Sequence, residues 1–431
     1  MYKGAIKMNL KSNKAITLVA LIISIIILLI LAGVSLSMVL GDNGLINKAQ
    51  SSVDKYQQSA NNEQAMLNSI EDYFKEYMPG EEMPLPAGWD GTKVTAISDG
   101  KHNIIPVPKD FYYVGGNLGN GVIISDNPAD KYDGTVDKTT WEYTTSLLGN
   151  QFVWIPCTEA EYHKTTDWAG TGQPCWGVYD TTEADATEKA KVLKYKGFYV
   201  ARYEAGLADG ITKYPTDHIS WGGGSPGYDV AGTPKSKAGQ DPWIFINYPN
   251  SKANAESWYA SSSSVESGLI TGTQWDVMLN KFIGTTNENG ITFTENDLRY
   301  SDRWGNYINN DIPYKGRTAS FYQNGSSWYI TPFTTTVATG TTGPNQRTEY
   351  TTGASKVAES YHIYDVAGNI WEWAEEIGGP QGGSVNSNYR VLRGGSCRNA
   401  SGAYPACYRS GAYTASHVNY HIGFRAVLYI K

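Results

Sequence analysis

The chain has 431 residues, enough for one large domain or two ordinary ones with appendages. Its 31 Tyr, 13 Trp and 46 Gly, with only 18% charged residues, argue against a helical bundle or a disordered chain and favour a loop-rich globule with an aromatic core. The formal net charge is −7 and basic residues cluster only near the N-terminus, so we expect no nucleic-acid partner.

Residues 16–40 form an uncharged aliphatic segment, in which 17 of 25 residues are Ile, Leu or Val. As a helix, this segment is long enough to cross a hydrocarbon core of about 30 Å. The leader before it, residues 1–15, contains four lysines: Lys3, Lys7, Lys11 and Lys14. By the positive-inside rule we expect a single-pass cell-membrane protein with a cytoplasmic N-terminus, a transmembrane helix at 16–40 and an extracytoplasmic remainder. A secretory signal peptide, the alternative, would have an apolar region of about 7 to 15 residues.

Residues 43–78 have the pattern of a second, amphipathic helix, which follows the helix-breaking Gly41–Gly44. Apolar residues recur there every three or four positions: Ile46, Ala49, Val53, Tyr56, Ala60, Leu67, Ile70, Phe74 and Tyr77. This stripe predicts a partner, either the chain's own globular part or identical helices in a bundle, and we favour the former. Prolines at positions 79, 84 and 86 predict a stiff linker over residues 79–88.

Residues 89–431 are predicted to form one loop-rich α+β domain. Short β-like runs at 152–155, 197–203 and 389–393 are separated by Gly, Asn, Thr and Pro. The clearest helix is Thr273–Phe282, whose apolar residues share one face behind a threonine cap.

The N-terminal leader resembles that of type IV prepilins, because Lys14-Ala15-Ile16-Thr17-Leu18 joins a short basic stretch to a long aliphatic run. The resemblance implies processing between Ala15 and Ile16, with methylation of the new N-terminus. Ala15 and Ala20 stand where prepilins carry glycine and glutamate. Assembly into a pilus with other pilins therefore stays open.

The globular part resembles the formylglycine-generating-enzyme (sulfatase-modifying-factor) domain. Four segments carry the resemblance: FVWIP at 152–156, TQWD at 273–276, YDVAGNIWEW at 364–373, and RGGS at 393–396 with GFR at 423–425. The resemblance implies a C-type-lectin fold, with paired small sheets and a C-terminal strand that returns to the core. Trp371 and Trp373 alternate on one strand and are expected in that core.

In that family, the segment that matches YDVAGNIWEW binds calcium through carboxylate, amide and carbonyl oxygens, which suit a hard cation. The resemblance therefore implies a structural calcium ion at Asp365, Gly368, Ile370 and Glu372. The alternative is a turn in which Glu372 forms a buried ion pair with an arginine such as Arg393 or Arg425.

The family's enzyme oxidises a substrate cysteine with two cysteines held close together after the Gly-Gly-Ser segment. Here Cys397 follows Ser396 directly and Cys407 lies ten residues further on, so the spacing differs. No predicted helix carries a histidine pair for iron, and GGSPG at 223–227 lacks the context of a nucleophile elbow. We therefore predict no catalytic residue and a protein that is not an enzyme.

Residues 397–422 contain 5 Ala, 4 Tyr and 3 Ser, and no Lys, Asp or Glu. This vocabulary is typical of adaptable contact loops, and many of its residues are reached by substituting adenines in asparagine codons. The segment resembles the variable region of proteins that diversity-generating retroelements diversify; an ordinary loop is the alternative. The predicted ligand contacts are Arg398, Asn399, Tyr404, Tyr408, Tyr413, His417, Asn419, Tyr420 and His421. We expect the four tyrosines to be largely exposed and replaceable without unfolding.

The sequence as a whole predicts a bacterial surface-displayed, adhesin- or receptor-like binding protein. Its expected partners are the membrane, through the N-terminal helix, and an extracellular protein or glycan. The alternatives are a membrane-anchored oxidase of the formylglycine-generating type and a structural minor pilin.

Overall fold

The structure is a computed structural model. It describes residues 10–40, 45–75 and 79–431, except 102, 169, 171, 173, 183–185, 212–228, 326 and 343–344. The GGSPG segment at 223–227 lies outside the described residues. The chain divides into two compact units, Met1–Glu76 and Tyr77–Lys431.

The first unit contains two helices, α1 (Leu10–Leu40) and α2 (Leu45–Lys75). The large aliphatic side chains of α1 between Leu18 and Val34 are 48% to 67% exposed. Among the described residues, no helix is both long and apolar enough to cross a membrane. The helix predicted at 16–40 is thus present, whereas its predicted membrane span is not found among these residues.

The second unit holds short helices and many short strands. Its helices are α3 (Ala186–Tyr195), α4 (Tyr248–Ser257), α5 (Gly272–Phe282) and α6 (Glu295–Tyr300), with 3-10 turns at Pro128–Asp130, Trp141–Ser146 and Lys356–Ala358. Its strands are β1 (Glu82–Met83), β2 (Val94–Ser98), β3 (Ile104–Pro108), β4 (Tyr112–Asn117), β5 (Gly121–Ser125), β6 (Gln151–Pro156), β7 (Cys175–Trp176), β8 (Val178–Tyr179), β9 (Gly197–Ala201), β10 (Val265–Leu269), β11 (Ile312–Gly316), β12 (Thr318–Asn324), β13 (Ser327–Ile330), β14 (Ala338–Thr342), β15 (Thr348–Tyr350), β16 (Glu359–Ser360), β17 (Ile363–Tyr364), β18 (Trp371–Gly379), β19 (Tyr389–Arg393), β20 (Arg409–Thr414), β21 (Ile422–Phe424) and β22 (Ala426–Ile430). The prediction of an α+β fold is confirmed.

Two six-stranded sheets dominate this unit. The first sheet has the order β10-β22-β9-β6-β5-β4, and the second has β21-β18-β19-β20-β7 with β8 beside β18. The C-terminal strand β22 lies between β10 and β9 and is buried along its length, so it returns to the core as the resemblance implied. Smaller sheets join β1-β2-β3, β11-β14, β13-β12-β15 and β16-β17, so part of the predicted linker 79–88 is a paired strand.

Continuous apolar runs form the centre of the first sheet, because a strand covered on both faces has no need for alternation. Every residue of β9 and β22 is buried, and so is β6 up to Ile155. Trp154 and Tyr199 are cross-strand partners with ring centroids 4.8 Å apart. The expected aromatic core is therefore present. Trp373 belongs to it and donates its indole N–H to the Ile246 carbonyl at 2.9 Å.

Helix α5 begins earlier than predicted, because Thr271 rather than Thr273 is its N-cap. The Thr271 hydroxyl accepts a hydrogen bond from the Gln274 N–H at 3.1 Å, and the Gln274 side chain accepts one from the Thr271 N–H at 3.0 Å. This reciprocal capping box satisfies two backbone donors at once.

A buried chain of charges ties α5 to the second sheet. Asp276 accepts hydrogen bonds from both Arg393, at 2.5 Å, and Arg409. Arg409 also contacts Glu376, at 3.0 Å, which in turn lies 3.2 Å from Lys164. Burial raises the pKa of Glu376, but Arg409 and Lys164 outweigh it and hold that pKa below its usual range. The network fixes β19 and β20 against α5.

Candidate binding site

A cavity of about 410 Å³ opens at the edge of the second sheet. We call it the aromatic cavity. Its lining residues are Trp176, Trp371, Arg398, Asn399, Tyr404, Tyr408, Ser410, Tyr413, Asn419 and His421. Seven of the nine predicted ligand contacts are in this set, all but His417 and Tyr420. Residues spread over 24 positions of the chain thus meet at one place.

The strands of the second sheet position the cavity walls. Trp371 begins β18 and pairs in parallel with Ile422 at the start of β21. Ser410 of β20 pairs with Trp176 of β7, so a distant segment supplies one wall. Tyr413 also lies on β20, and the connections before β20 and β21 bring the remaining lining residues.

The cavity wall is built from aromatic rings in edge-to-face and tilted contact. Trp371 lies 5.8 Å, between ring centroids, from both Tyr404 and Tyr408, which are 4.9 Å from each other. On the other side, Trp176 and Tyr413 are 5.6 Å apart. Such rings offer a large, rigid contact area at low entropic cost.

Arg398 is the cationic side chain among the described residues that line the cavity. Its guanidinium lies over the rings of Trp328, Tyr420 and Phe321, at 4.8, 5.0 and 5.6 Å from their centroids. It also donates a hydrogen bond to the Tyr420 hydroxyl. The aromatic cage therefore fixes the orientation of this side chain.

Two histidines lie at or near the cavity, His421 in its lining and His417 against Tyr413. Burial, and then Arg398 and His417, lowers the pKa of His421 well below its usual value. Burial also lowers the pKa of His417, whose ring lies 4.8 Å from that of Tyr413 without lining the cavity. Among the described residues, His421 Nδ1 and His417 Nε2 have no hydrogen-bond partner.

The prediction that the four tyrosines are largely exposed is wrong. Tyr420 is fully buried, between Phe321 and Phe245 at 5.0 and 6.2 Å, and Tyr408 is only 7% exposed. Tyr404 and Tyr413 are of intermediate exposure. Tyr420 lies two residues before β21 and is buried in the core, where its ring contacts the Arg398 guanidinium. The segment 397–422 is therefore part core and part surface.

Trp371, Trp176 and Ser410 were missed as lining residues. Trp371 was predicted as core and is indeed only 5% exposed, but its edge reaches the cavity. Trp176, 40% exposed, lies more than 190 positions from Trp371, and no sequence pattern linked it to this site.

The predicted calcium turn is closed by an ion pair. Arg425 donates to both carboxylate oxygens of Glu372, at 2.6 and 3.0 Å. Asp365 accepts from the Gly353 N–H at 2.7 Å, and burial raises its pKa to about 7. No group of three or more His, Cys, Asp or Glu suited to a metal occurs among the described residues. The arrangement fits the ion-pair alternative better than a calcium site, and calcium binding stays a prediction.

Gly368 and Ile370 in this turn have structural roles. Gly368 has a φ of 75°, and a Cβ there would lie 2.2 Å from the Asn306 carbonyl oxygen. The Ile370 N–H donates to the buried Glu204 carboxyl at 3.2 Å.

The two cysteines considered for catalysis are buried and do not line the cavity. Cys397 and Cys407 both have no exposed surface. Burial raises the pKa of Cys407 to about 12 and that of Cys397 well above its usual value. The reactive thiolate is therefore disfavoured at both positions.

A second, larger cavity of about 650 Å³ lies around Trp141, Lys315, Arg317 and Lys356. None of the predicted contacts lines it.

Comparison with known families identifies the region that carries the aromatic cavity. Residues 295–430 match the model of the sulfatase-modifying factor enzyme 1-like (FGE-sulfatase) domain. The C-terminal region is an FGE-sulfatase domain. It contains every lining residue of the cavity except Trp176. The resemblance predicted from the last two motifs is confirmed, whereas those at 152–156 and 273–276 lie outside the matched residues.

No curated protein matches the chain. Among solved structures, the Treponema denticola variable protein 1 is 13% identical, with 66% of this chain and 97% of that chain covered and a TM-score of 0.31. The Major Tropism Determinant I1 Variant is 14% identical, with 82% and 86% covered and a TM-score of 0.29. At these scores neither likeness defines the fold, and the C-type-lectin assignment stays a prediction.

Proposed function

We propose that the protein binds a ligand in the aromatic cavity and is not an enzyme. The observation that carries this proposal is the convergence of seven predicted contact residues on one cavity. A concave site with apolar aromatic walls and a few polar groups is the usual form of a ligand site.

The scaffold of the cavity supports this function. Arg393 and Arg409 are held by Asp276, and Arg425 is held by Glu372, all of them buried. These buried ion pairs hold the backbone around the cavity, so its position does not depend on which side chains line the cavity. Diversification at the cavity positions with exposed surface, such as Asn399, Tyr404 and Tyr413, is therefore part of the proposal.

The buried thiols support the absence of oxidase activity. A cysteine nucleophile needs a lowered pKa and access to substrate, and Cys397 and Cys407 have neither.

Surface display by α1 is a further part of the proposal. Its support is the uncharged aliphatic sequence of residues 16–40 and the exposure of the large aliphatic side chains between Leu18 and Val34, an apolar surface that water would not stabilise. The pilin-like processing at Ala15 and Ile16 belongs to the same proposal. Protease digestion of intact cells tests display: the domain should be degraded while the N-terminus survives. Full protection of the domain would contradict it.

Binding is tested by screening the detergent-solubilised full chain against arrays of extracellular glycans and proteins. The Tyr413→Ala variant should lose about tenfold or more in affinity for the ligand found. Tyr300→Ala is the matched control, because Tyr300 is a 40% exposed tyrosine that does not line the cavity. Equal affinities of all three proteins would contradict the proposal.

A further inference from the structure

The charge of the aromatic cavity differs from that of the whole protein. The formal net charge of the chain is −7, yet the lining residues that the structure describes include the guanidinium of Arg398 and no Asp or Glu. The positive charge of Arg398 in this aromatic surrounding favours an anionic group on the ligand.

A second guanidinium strengthens the positive potential. Arg347 lies 4.5 Å from the centroid of the Trp328 ring, which Arg398 also contacts, at 4.8 Å. The structure describes no ion pair between Arg347 and a carboxylate. Guanidinium groups keep their charge at every physiological pH.

A buried acid, Glu349, lies close to Arg347 in the chain. Glu349 lies on β15, two residues from Arg347, and is fully buried. Neither of its carboxyl oxygens has a hydrogen-bond partner among the described residues. Burial, and then Asp241, raises the pKa of Glu349 well above its usual value, which favours the neutral form of this carboxyl group.

The polar groups of the cavity are suited to an acidic ligand. Arg398 is held in place by its aromatic cage, so it loses little entropy when it binds. The side-chain amides of Asn399 and Asn419 line the same space and provide further donors. A guanidinium with neighbouring amide donors matches a carboxylate, and the aromatic walls match a flat ring.

We propose, on the basis of the proposed function, that the ligand of the aromatic cavity presents a carboxylate joined to a flat apolar ring, with Arg398 binding the carboxylate. Trp371, Tyr404 and Tyr408 contact the ring.

A pair of small probes tests this inference. Phenylacetate and phenylacetamide have the same ring and nearly the same shape, and only the former is charged at pH 7. Ligand-observed NMR titration of the full chain should give an affinity about tenfold or more higher for phenylacetate. In Arg398→Met, which keeps much of the apolar contact, the two affinities should agree within about twofold. Arg299→Met is the matched control, because Arg299 lies over the Tyr300 ring, outside the cavity, and it should keep the preference.

Salt provides a second measurement that needs no variant. Raising the NaCl concentration from about 50 mM to about 500 mM should reduce the ratio of the phenylacetate affinity to the phenylacetamide affinity, because salt screens the charge contact. Equal binding of the two probes to the wild type, binding of neither, or a preference that survives Arg398→Met would overturn the inference. The proposed function has its own test, which is the effect of Tyr413→Ala on the affinity for the ligand found in the array screen.

Discussion

Trp371 and Tyr404 meet edge to face, with ring centroids 5.8 Å apart and an interplanar angle of 86°. The contact joins the first residue of β18 to the segment that follows the Gly-Gly-Ser motif. The scaffold and the predicted binding segment therefore share one aromatic wall. A substitution of a residue in this wall should affect both folding stability and ligand binding, and the balance between the two effects should depend on how buried the residue is.

Replacing the tyrosines of residues 397–422 with alanine should lower the stability by an amount that depends on how buried each ring is. Tyr420→Ala removes a fully buried ring that contacts Phe321 and Phe245, and we expect it to lower the free energy of unfolding by about 3 to 5 kcal/mol. Tyr413→Ala removes a ring of intermediate exposure and should cost about 1 kcal/mol. Chemical denaturation of both variants measures the difference. Similar costs would show that the two rings are packed alike, against the structure.

The buried charge network should be sensitive to loss of its central acid. Asp276→Ala leaves Arg393 and Arg409 without their shared partner, and we expect a cost of about 3 to 5 kcal/mol in the free energy of unfolding. Asp209→Ala is the control, because it removes only an exposed partner of Lys235 and should cost less than about 1 kcal/mol. A small effect of Asp276→Ala would mean that the network does not hold β19 and β20.

Two glycines with similar backbone angles should respond differently to alanine. Gly368→Ala places a Cβ 2.2 Å from the Asn306 carbonyl oxygen at a φ of 75°, and should cost about 3 kcal/mol or more. Gly382→Ala has a φ of 71° and nothing within 4 Å, so only the backbone strain remains, about 1 kcal/mol. Thermal melting of both variants tests this. Equal shifts in Tm would rule out the close approach.

His362 should make the fold sensitive to acid. Burial, and then Arg202, lowers its pKa to about 3. Neither ring nitrogen has a hydrogen-bond partner among the described residues, and Nδ1 lies 3.9 Å from the Glu359 carboxyl. The unfolded state takes up a proton below a pKa of about 6.5 and the folded state does not, so the free energy of unfolding falls as pH drops through this range. From pH 7 to pH 5 this group should cost about 2 kcal/mol.

The comparison with His362→Phe isolates that contribution. Asp365 and Glu359 act in the opposite direction, because burial raises the pKa of each to about 7 and the folded state then binds the extra proton. The measured quantity is therefore the difference in unfolding free energy between wild type and variant at each pH. A difference that does not change between pH 7 and pH 5 would contradict the pKa of His362.

Features that depend on local sequence pattern or on a motif were predicted from the sequence. The apolar runs of β6 and β9, the α5 face and the burial of Trp373 follow from local pattern, and all are present. The motifs led to the correct C-terminal domain family.

The predictions that were wrong or missing concern contacts between segments that are distant in the sequence. Trp176 reaches the cavity only because β7 pairs with β20, and Tyr420 is buried only because Phe321 and Phe245 cover it. Composition identified residues 397–422 as contact-like, but it cannot say which of its residues face the core.

The central claim is that ligands bind in the aromatic cavity, and hydroxyl-radical footprinting of the full chain with the ligand from the array screen tests it most directly. Bound ligand should protect Trp176, Tyr404 and Tyr413 from oxidation and leave Trp141, in the larger cavity, unchanged. Protection of Trp141 with no change at the three cavity residues would place the site elsewhere and contradict the claim.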